Sequence, residues 1–220
     1  MNILTIETCT DTCTMGVVRD GAVLAEAAFP SRHTLVQRLL PRVEWLLDDG
    51  GLTRGDVEAI VVSRGPGSFT GVRIGMTAAK TLALWGKIPL VGVSTLEALA
   101  YPFRALSGSL LVPMINARRQ QAYLALFRTT AGTLQRLTPD LLLSAGPAAE
   151  TLEAQREGGQ ALCIGQLDGL PAGLLPASAA VVRSLVTPHA LAALGRERLE
   201  RGEADDPITL TPLYLRNAAE

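Results

Sequence analysis

The chain has 220 residues, 48% of them hydrophobic and only 4% aromatic, enough for one large domain or two small lobes around an aliphatic core. Its net charge of −1, with 18 of 20 basic residues being scattered arginines, excludes the basic footprint of a protein that grips nucleic acid unaided. No run reaches the roughly 18 apolar residues of a membrane span, so no membrane partner is expected.

Asn2 to Thr8 reads as a first strand. Cys13 to Arg19 and Ala22 to Phe29 read as two more, joined by the hairpin signal Asp20-Gly21. Pro30-Ser31-Arg32 breaks this meander. From His33 to Asp48 the apolar residues fall at helical spacing, and Gly50-Gly51 ends the helix. Pro41 would cost a helix interior about 3 kcal/mol, so a kink or a late start is expected there. Asp56 to Ser63 is the fourth strand, with the buried run Ala59-Ile60-Val61-Val62.

A glycine-rich stretch follows: Gly65-Pro66-Gly67-Ser68-Phe69-Thr70-Gly71-Val72-Arg73-Ile74-Gly75. It leads into a helical pattern from Ile74 to Leu84, closed by Gly86. Such a strand-to-helix turn permits close backbone approach and can present N–H groups to an anion. It is not a P-loop, because Gly71 is followed by Val72-Arg73, and it is not a dinucleotide fingerprint, because Gly71 comes one place late. A tight structural turn and a ligand or partner surface both fit these residues. Gly65, Gly67, Ser68 and Thr70 are the weak candidates for cofactor binding.

Pro89 to Val93 is the fifth strand, and Ser94 or Thr95 can cap a third helix running to Ala100. The order β-β-β-α-β-α-β-α is a meander extended by parallel crossovers. The second half reads as a looser repeat. Leu110 to Ile115 and Ala122 to Phe127 flank a turn at Asn116–Gln121. Leu134 to Leu137 pairs nearby, and Ala161 to Gly165 is a short strand. Gly169 to Ala180 is loop, and His189 to Arg201 is a last helix. Glu203-Ala204-Asp205-Asp206-Pro207 is acidic and exposed. The Pro102, Ser107 and Gly108 cluster puts a boundary between lobes 1–104 and 105–220, the last helix and tail lying in the second.

The cysteines, Cys9, Cys13 and Cys163, are odd in number, and Met1-Asn2-Ile3-Leu4 lacks a basic leader region. A reducing, cytoplasmic setting is expected. Cys9 and Cys13 with His33 could hold a metal, but no second Cys-x-x-Cys or His pair completes a zinc set, and no metal is expected.

The meander with alternating helices resembles the actin/Hsp70/sugar-kinase fold, an α/β class of ribonuclease H-like lobes. Within it the Gly65–Gly75 stretch is similar to the signature of the TsaB (YeaZ) family. Asn2–Thr8, His33 with Leu39-Leu40-Pro41 and Leu46-Leu47, Asn116-Ala117-Arg118-Arg119 and Pro212-Leu213-Tyr214-Leu215-Arg216 agree with it. The resemblance is strong to about residue 125 and weak from about 130 to 205. It implies a non-catalytic partner of the paralogous transferase TsaD in making threonylcarbamoyladenosine beside the anticodon of tRNAs that read codons beginning with A. TsaE, an ATPase, completes the assembly. ATP or ADP and a metal ion are then expected on partners, and tRNA is met only through the complex.

Several residues bear on catalysis. Enzymes of this fold hold phosphates with an Asp and small residues in the first turn, whereas Glu7-Thr8-Cys9-Thr10-Asp11-Thr12 has no glycine. Glu7 reads as a satisfied strand-end carboxylate. Thr95 and Leu99 stand where the transferase has its metal-binding His pair, and neither replaces imidazole. Asn116 stands where the family has Asp, which removes a charge but keeps hydrogen-bonding capacity. A small kinase or peptidase-like enzyme of the same fold is the alternative. The resemblance also implies pairing through two helices, here with Leu35, Val36, Leu39, Leu40, Val43 and Leu46 on the first and Val72, Gly75, Met76 and Ala79 on the second. A homodimer could form through the same patch.

Overall fold

A computed structural model of the chain describes residues 1–31, 34–156, 160–171, 173–175 and 179–216. Its first strands are β1 (Asn2–Glu7), β2 (Thr12–Arg19) and β3 (Ala22–Pro30), paired antiparallel with Asn2 opposite Arg19 and Thr12 opposite Pro30. Asp20 and Gly21 both take positive φ in the connecting turn, as a two-residue hairpin demands. Helix α1 (Leu35–Asp49) follows. It buries Leu35, Leu39, Val43, Leu46 and Leu47 on one face and runs through Pro41. Pro41 and Gln37 lie on the exposed side, where water can take the carbonyl that loses its N–H partner. His33 lies outside the described residues.

Strand β4 (Ala59–Ser63) begins three residues later than the sequence pattern suggests. The Thr53 and Asp56 side chains form a capping box that winds Arg54–Asp56 into a short 3-10 turn. Helix α2 (Phe69–Gly86) starts five residues earlier than expected, because Ser68 Oγ accepts from the Gly71 N–H and caps it. Then come β5 (Leu90–Val93) and α3 (Thr95–Ala100). Strands β1, β4 and β5 are parallel, so the first sheet has the order β3-β2-β1-β4-β5.

The second sheet repeats this order with other strands. It contains β6 (Leu110–Arg118), β7 (Gln121–Leu124), β8 (Phe127–Thr130), β9 (Thr133–Arg136), β10 (Leu141–Leu143), β11 (Ala161–Gln166) and β12 (Ala180–Arg183). The path β10-β7-β6-β11-β12 has an antiparallel meander at one side and parallel strands at the other, with β8 and β9 as an inserted hairpin. Helix α4 (Ala145–Gln155) occupies the place of α1 in this repeat. Between β11 and β12, where the first half has α2, Leu167, Leu170, Leu174 and Leu175 pack onto the core of this sheet instead. This duplicated mixed sheet is the actin/Hsp70/sugar-kinase architecture.

The division of the chain departs from lobes of 1–104 and 105–220. The first compact unit comprises Met1–Thr95 with Val186–Leu213, and the second comprises Leu96–Leu185 with the chain end from Tyr214. Helix α5 (Pro188–Glu200) therefore belongs to the first unit, although it follows the second sheet in sequence. The physical reason is close packing against the first sheet. Pro188 lies over Gly16, where a Cβ would sit 2.6 Å from it, and Gly195 lies over Val61, where a Cβ would sit 2.2 Å from Cγ2. Gly195→Ala should therefore lower stability by about 1–3 kcal/mol in urea unfolding, through overpacking. Gly146→Ala in α4, with open space around it, should instead be neutral or stabilising by up to about 1 kcal/mol.

Candidate functional site

The glycine stretch meets the end of β1. Gly65 has φ +105°, a region open to glycine, and a Cβ there would stand 2.7 Å from the Leu213 carbonyl oxygen. A Cβ on Gly67 would stand 2.1 Å from the Cys9 carbonyl oxygen, and one on Gly71 2.0 Å from the Thr8 carbonyl oxygen. A Cβ on Gly75 would stand 2.1 Å from Thr8 Oγ1. The Ser68 N–H donates to the Cys9 carbonyl at 2.6 Å, and Thr8 Oγ1 donates to the Gly71 carbonyl at 2.7 Å. At these four glycines the missing side chain makes way for the chain's own backbone and Thr8. Of the weak cofactor candidates, Gly65 and Gly67 are thus packed against protein, Ser68 caps α2, and Thr70 is exposed.

Glu7, at the end of β1, is fully buried. Its Oε1 accepts the N–H groups of Cys9 at 2.5 Å and Thr10 at 3.0 Å, and its Oε2 accepts the Thr10 hydroxyl at 3.0 Å. The carboxylate is consumed by its own loop, as expected of a satisfied strand-end group. Burial pushes its pKa up to about 7, against the opposing effect of those three hydrogen bonds. Cys9 and Cys13 are buried, and burial, reinforced by the neighbouring Glu7 charge, drives both thiols above their ordinary range. Cys9 Sγ donates to the Ser63 carbonyl at 3.3 Å. Both are inert core thiols by this measure. Among the described residues no group of three or more His, Cys, Asp and Glu side chains converges in a way that could hold a metal ion.

Thr95 and Leu99 are fully buried, and the Leu99 side chain lies 3.5 Å from where a Gly165 Cβ would stand. The turn after β6 is unusual: Arg118, Arg119 and Gln120 all have positive φ. Asn116 holds it. Its Oδ1 accepts the Arg118 N–H at 2.8 Å, while its Nδ2 donates to the carbonyls of Asp168 at 3.2 Å and Gly169 at 2.7 Å. An Asp could accept the first bond but could donate neither of the others.

The ten residues expected at a partner surface divide sharply. Leu35, Leu39, Val43, Leu46, Val72, Gly75, Met76 and Ala79 are buried within the first unit, which corrects their assignment to an exposed patch. On α2 the small residues Gly71, Gly75, Ala79 and Ala83 recur every fourth position, so they form one stripe, and that stripe faces the chain's own sheet. Only Val36 and Leu40 remain exposed, at 67% and 51%. Sequence reasoning missed the other large apolar side chains that these two helices expose, namely Trp45, Phe69, Leu84 and Trp85. Phe69 carries the Arg73 guanidinium over its ring at 3.8 Å. The signal was present as large residues off the buried stripe.

Comparison with known proteins places this geometry. A family model described as "TsaD: tRNA N6-adenosine threonylcarbamoyltransferase" matches residues 28–161. The protein named "tRNA threonylcarbamoyladenosine biosynthesis protein TsaB" in Bacillus subtilis is 36% identical over 226 residues, covering 99% of this chain and 95% of that protein. Its namesake in Escherichia coli is 41% identical over 127 residues, 57% of this chain and 54% of that protein. The structure of YeaZ from Pseudomonas aeruginosa superposes with a TM-score of 0.82 at 25% identity, covering 97% of this chain and 99% of that one.

Two outcomes follow from the loop geometry. Gly71→Ala should destabilise the folded chain by about 1–3 kcal/mol in denaturant melts without any ligand, because its Cβ meets backbone. Unfolded Glu7 ionises near its ordinary 4.5 and folded Glu7 near 7, so the folded state binds more protons in between. Its contribution to stability is full below about 4.5 and is lost as pH rises through 7, by roughly 3 kcal/mol. Glu7→Gln should remove that slope, so the variant gains on the parent between pH 4.5 and 7.5 in parallel urea titrations.

Proposed function

This chain belongs to the TsaB family, and we propose that it is a non-catalytic subunit in the biosynthesis of tRNA threonylcarbamoyladenosine, binding TsaD through the outer faces of α1 and α2. The process is the one that its relatives are named for. The reading of partner and role is carried by a single observation. Among the described residues, six of the eleven exposed large apolar side chains lie on these two helices: Val36, Leu40, Trp45, Phe69, Leu84 and Trp85. Large apolar side chains held out to water on two successive helices favour a protein interface. Val36 and Leu40, four residues apart, share one face of α1, and Phe69, Arg73 and Thr77 continue one face of α2.

A non-catalytic role is supported by the first turn, where Glu7 is spent on loop amides and the glycines on backbone packing. In this reading ATP or ADP and the metal ion belong to TsaD and TsaE, and tRNA is engaged by the assembly. When TsaD is absent, the same face pairs two copies of the chain. No helix among the described residues is long and apolar enough to cross a membrane.

Leu40→Asp and Phe69→Asp test the face, since both sites are exposed and should leave the monomer's melting unchanged. A charge left without a partner in an interface core costs several kcal/mol, so TsaD binding measured by calorimetry should weaken by about 100-fold or more. Unchanged affinity in both folded variants would place the interface elsewhere. Leu39→Asp is unsuitable as a probe, because it would bury a charge in the unit's own core.

A further inference from the structure

After α5 the chain crosses the first unit once more, from Glu203 to Leu213, without helix or strand beyond a single bridge between Leu90 and Asp205. Strand β5 is the outermost strand of its sheet, and an unpaired edge of this kind is a template for unwanted pairing. The segment covers it. The Asp205 N–H donates to the Leu90 carbonyl at 2.8 Å, and the Gly92 N–H donates to Asp205 Oδ2 at 2.8 Å. Arg198 locks the crossing from α5, donating to the Gly92 carbonyl at 2.8 Å and to Asp205 Oδ2 at 3.1 Å.

Beyond the edge the segment reaches α2 and the glycine turn. The Lys80 ammonium, on α2, donates to the carbonyls of Ile208 at 3.1 Å and Leu210 at 3.0 Å. Leu210 is buried in the core of the first unit and fits over Gly92, where a Cβ would meet its Cδ1 at 3.2 Å. The Leu213 N–H donates to the Arg64 carbonyl at 2.7 Å, and the Leu213 carbonyl fills the space beside Gly65. Three elements are thus pinned by one segment held at three points: the Arg198–Asp205 latch, the Lys80 clamp and the Leu213 bond.

We propose that residues 203–213 form a strap that fixes the position of α2 and of the Gly65 turn, so that the outer face of α2 is held in one geometry only while the strap is docked. The fixing follows from the chain's own contacts. Its consequence for binding rests on the partner reading above. A segment with so few buried side chains and discrete polar attachments opens at lower free energy than the sheet it lies on. Its release would free the turn before the core.

Hydrogen exchange on the isolated full chain tests this. Lys80→Met keeps the side-chain stem but removes both carbonyl bonds, and Asp205→Asn weakens the latch without changing its shape. In each, amides of residues 64–76 and of the strap should exchange at least about tenfold faster than in the parent, with β1 and β2 unchanged. Lys80→Arg, which keeps the charge and the donors, should restore protection. Faster exchange of the strap alone, with residues 64–76 still protected, would overturn the proposal. So would a uniform rise that includes β1 and β2, because the segment would then be part of the global core. TsaD affinity of the same variants separates the two readings. A drop of tenfold or more alongside local loosening supports both, whereas local loosening with unchanged affinity leaves the strap standing and removes α2 as the partner face.

Discussion

The first unit depends on one contact: α2 and its leading turn meet the chain at the end of β1 at backbone distance, with the Thr8 side chain set between them. Gly67 and Gly71 give way to the carbonyls of Cys9 and Thr8, and Gly75 gives way to the Thr8 hydroxyl. Hydrogen bonds from the Ser68 N–H and the Thr8 hydroxyl then join the two segments directly. Any Cβ at these positions would push the helix outward. The close approach in turn requires the loop after β1 to keep a fixed shape, because its carbonyls are the surface on which α2 rests. Glu7 supplies that shape by gathering the amides of Cys9 and Thr10 from beneath.

Glu7 shows what the arrangement costs. A carboxylate with no accessible surface is stable only where hydrogen-bond donors replace its water, and three donors do so here. They do not fully offset the desolvation, which is why the group holds its proton to higher pH than a carboxylate in water. The same commitment engages both of its oxygens within the loop. A carboxylate with both oxygens engaged by its own loop is poorly placed to orient a phosphate, a metal or an attacking water. The glycine stretch, which in sequence could have been a phosphate cradle, has its close-approach capacity taken up by the protein itself.

How far this was legible from sequence depends on the range of the interactions. The opening hairpin, the fourth and fifth strands and the first helix are written in local signals: alternation, Asp20-Gly21, and the spacing of Leu35, Leu39, Val43 and Leu46. The start of α2 was misplaced because a Ser-capped helix whose first turns hold Gly71 and Gly75 looks like a loop until the backbone it packs against is known. Strand β10 and helix α4 escaped notice for a similar reason, since Leu141–Leu143 is only three residues long and α4 carries Gly146 and Pro147 in its first turn. The placement of α5 in the first unit rests on Gly16 and Gly195, whose partners Pro188 and Val61 lie more than a hundred residues away. No periodicity could announce that. Asn116 is the converse case, where one residue type explains itself once its two carbonyl acceptors are seen.

Helix α2 also shows where the small residues expected at a partner face lie. Gly75 and Ala79, which the resemblance places at a pairing helix, do allow close approach, but to the unit's own interior. With Gly71, Gly75, Ala79 and Ala83 committed to the sheet, the opposite side of the helix carries the large residues, among them Phe69, Leu84 and Trp85. Val72 and Met76 are also buried beside that stripe, but the closest approach of the helix is made by its small residues and backbone. Its position is further secured by the Ser68 cap at one end and by polar ties such as Lys80 along its flank. Such a helix can present bulky apolar groups outward without unbalancing the fold, because its inward packing makes no use of them. The close packing that fills the glycine turn is thus also what leaves the outer side of α2 to the bulky groups it exposes.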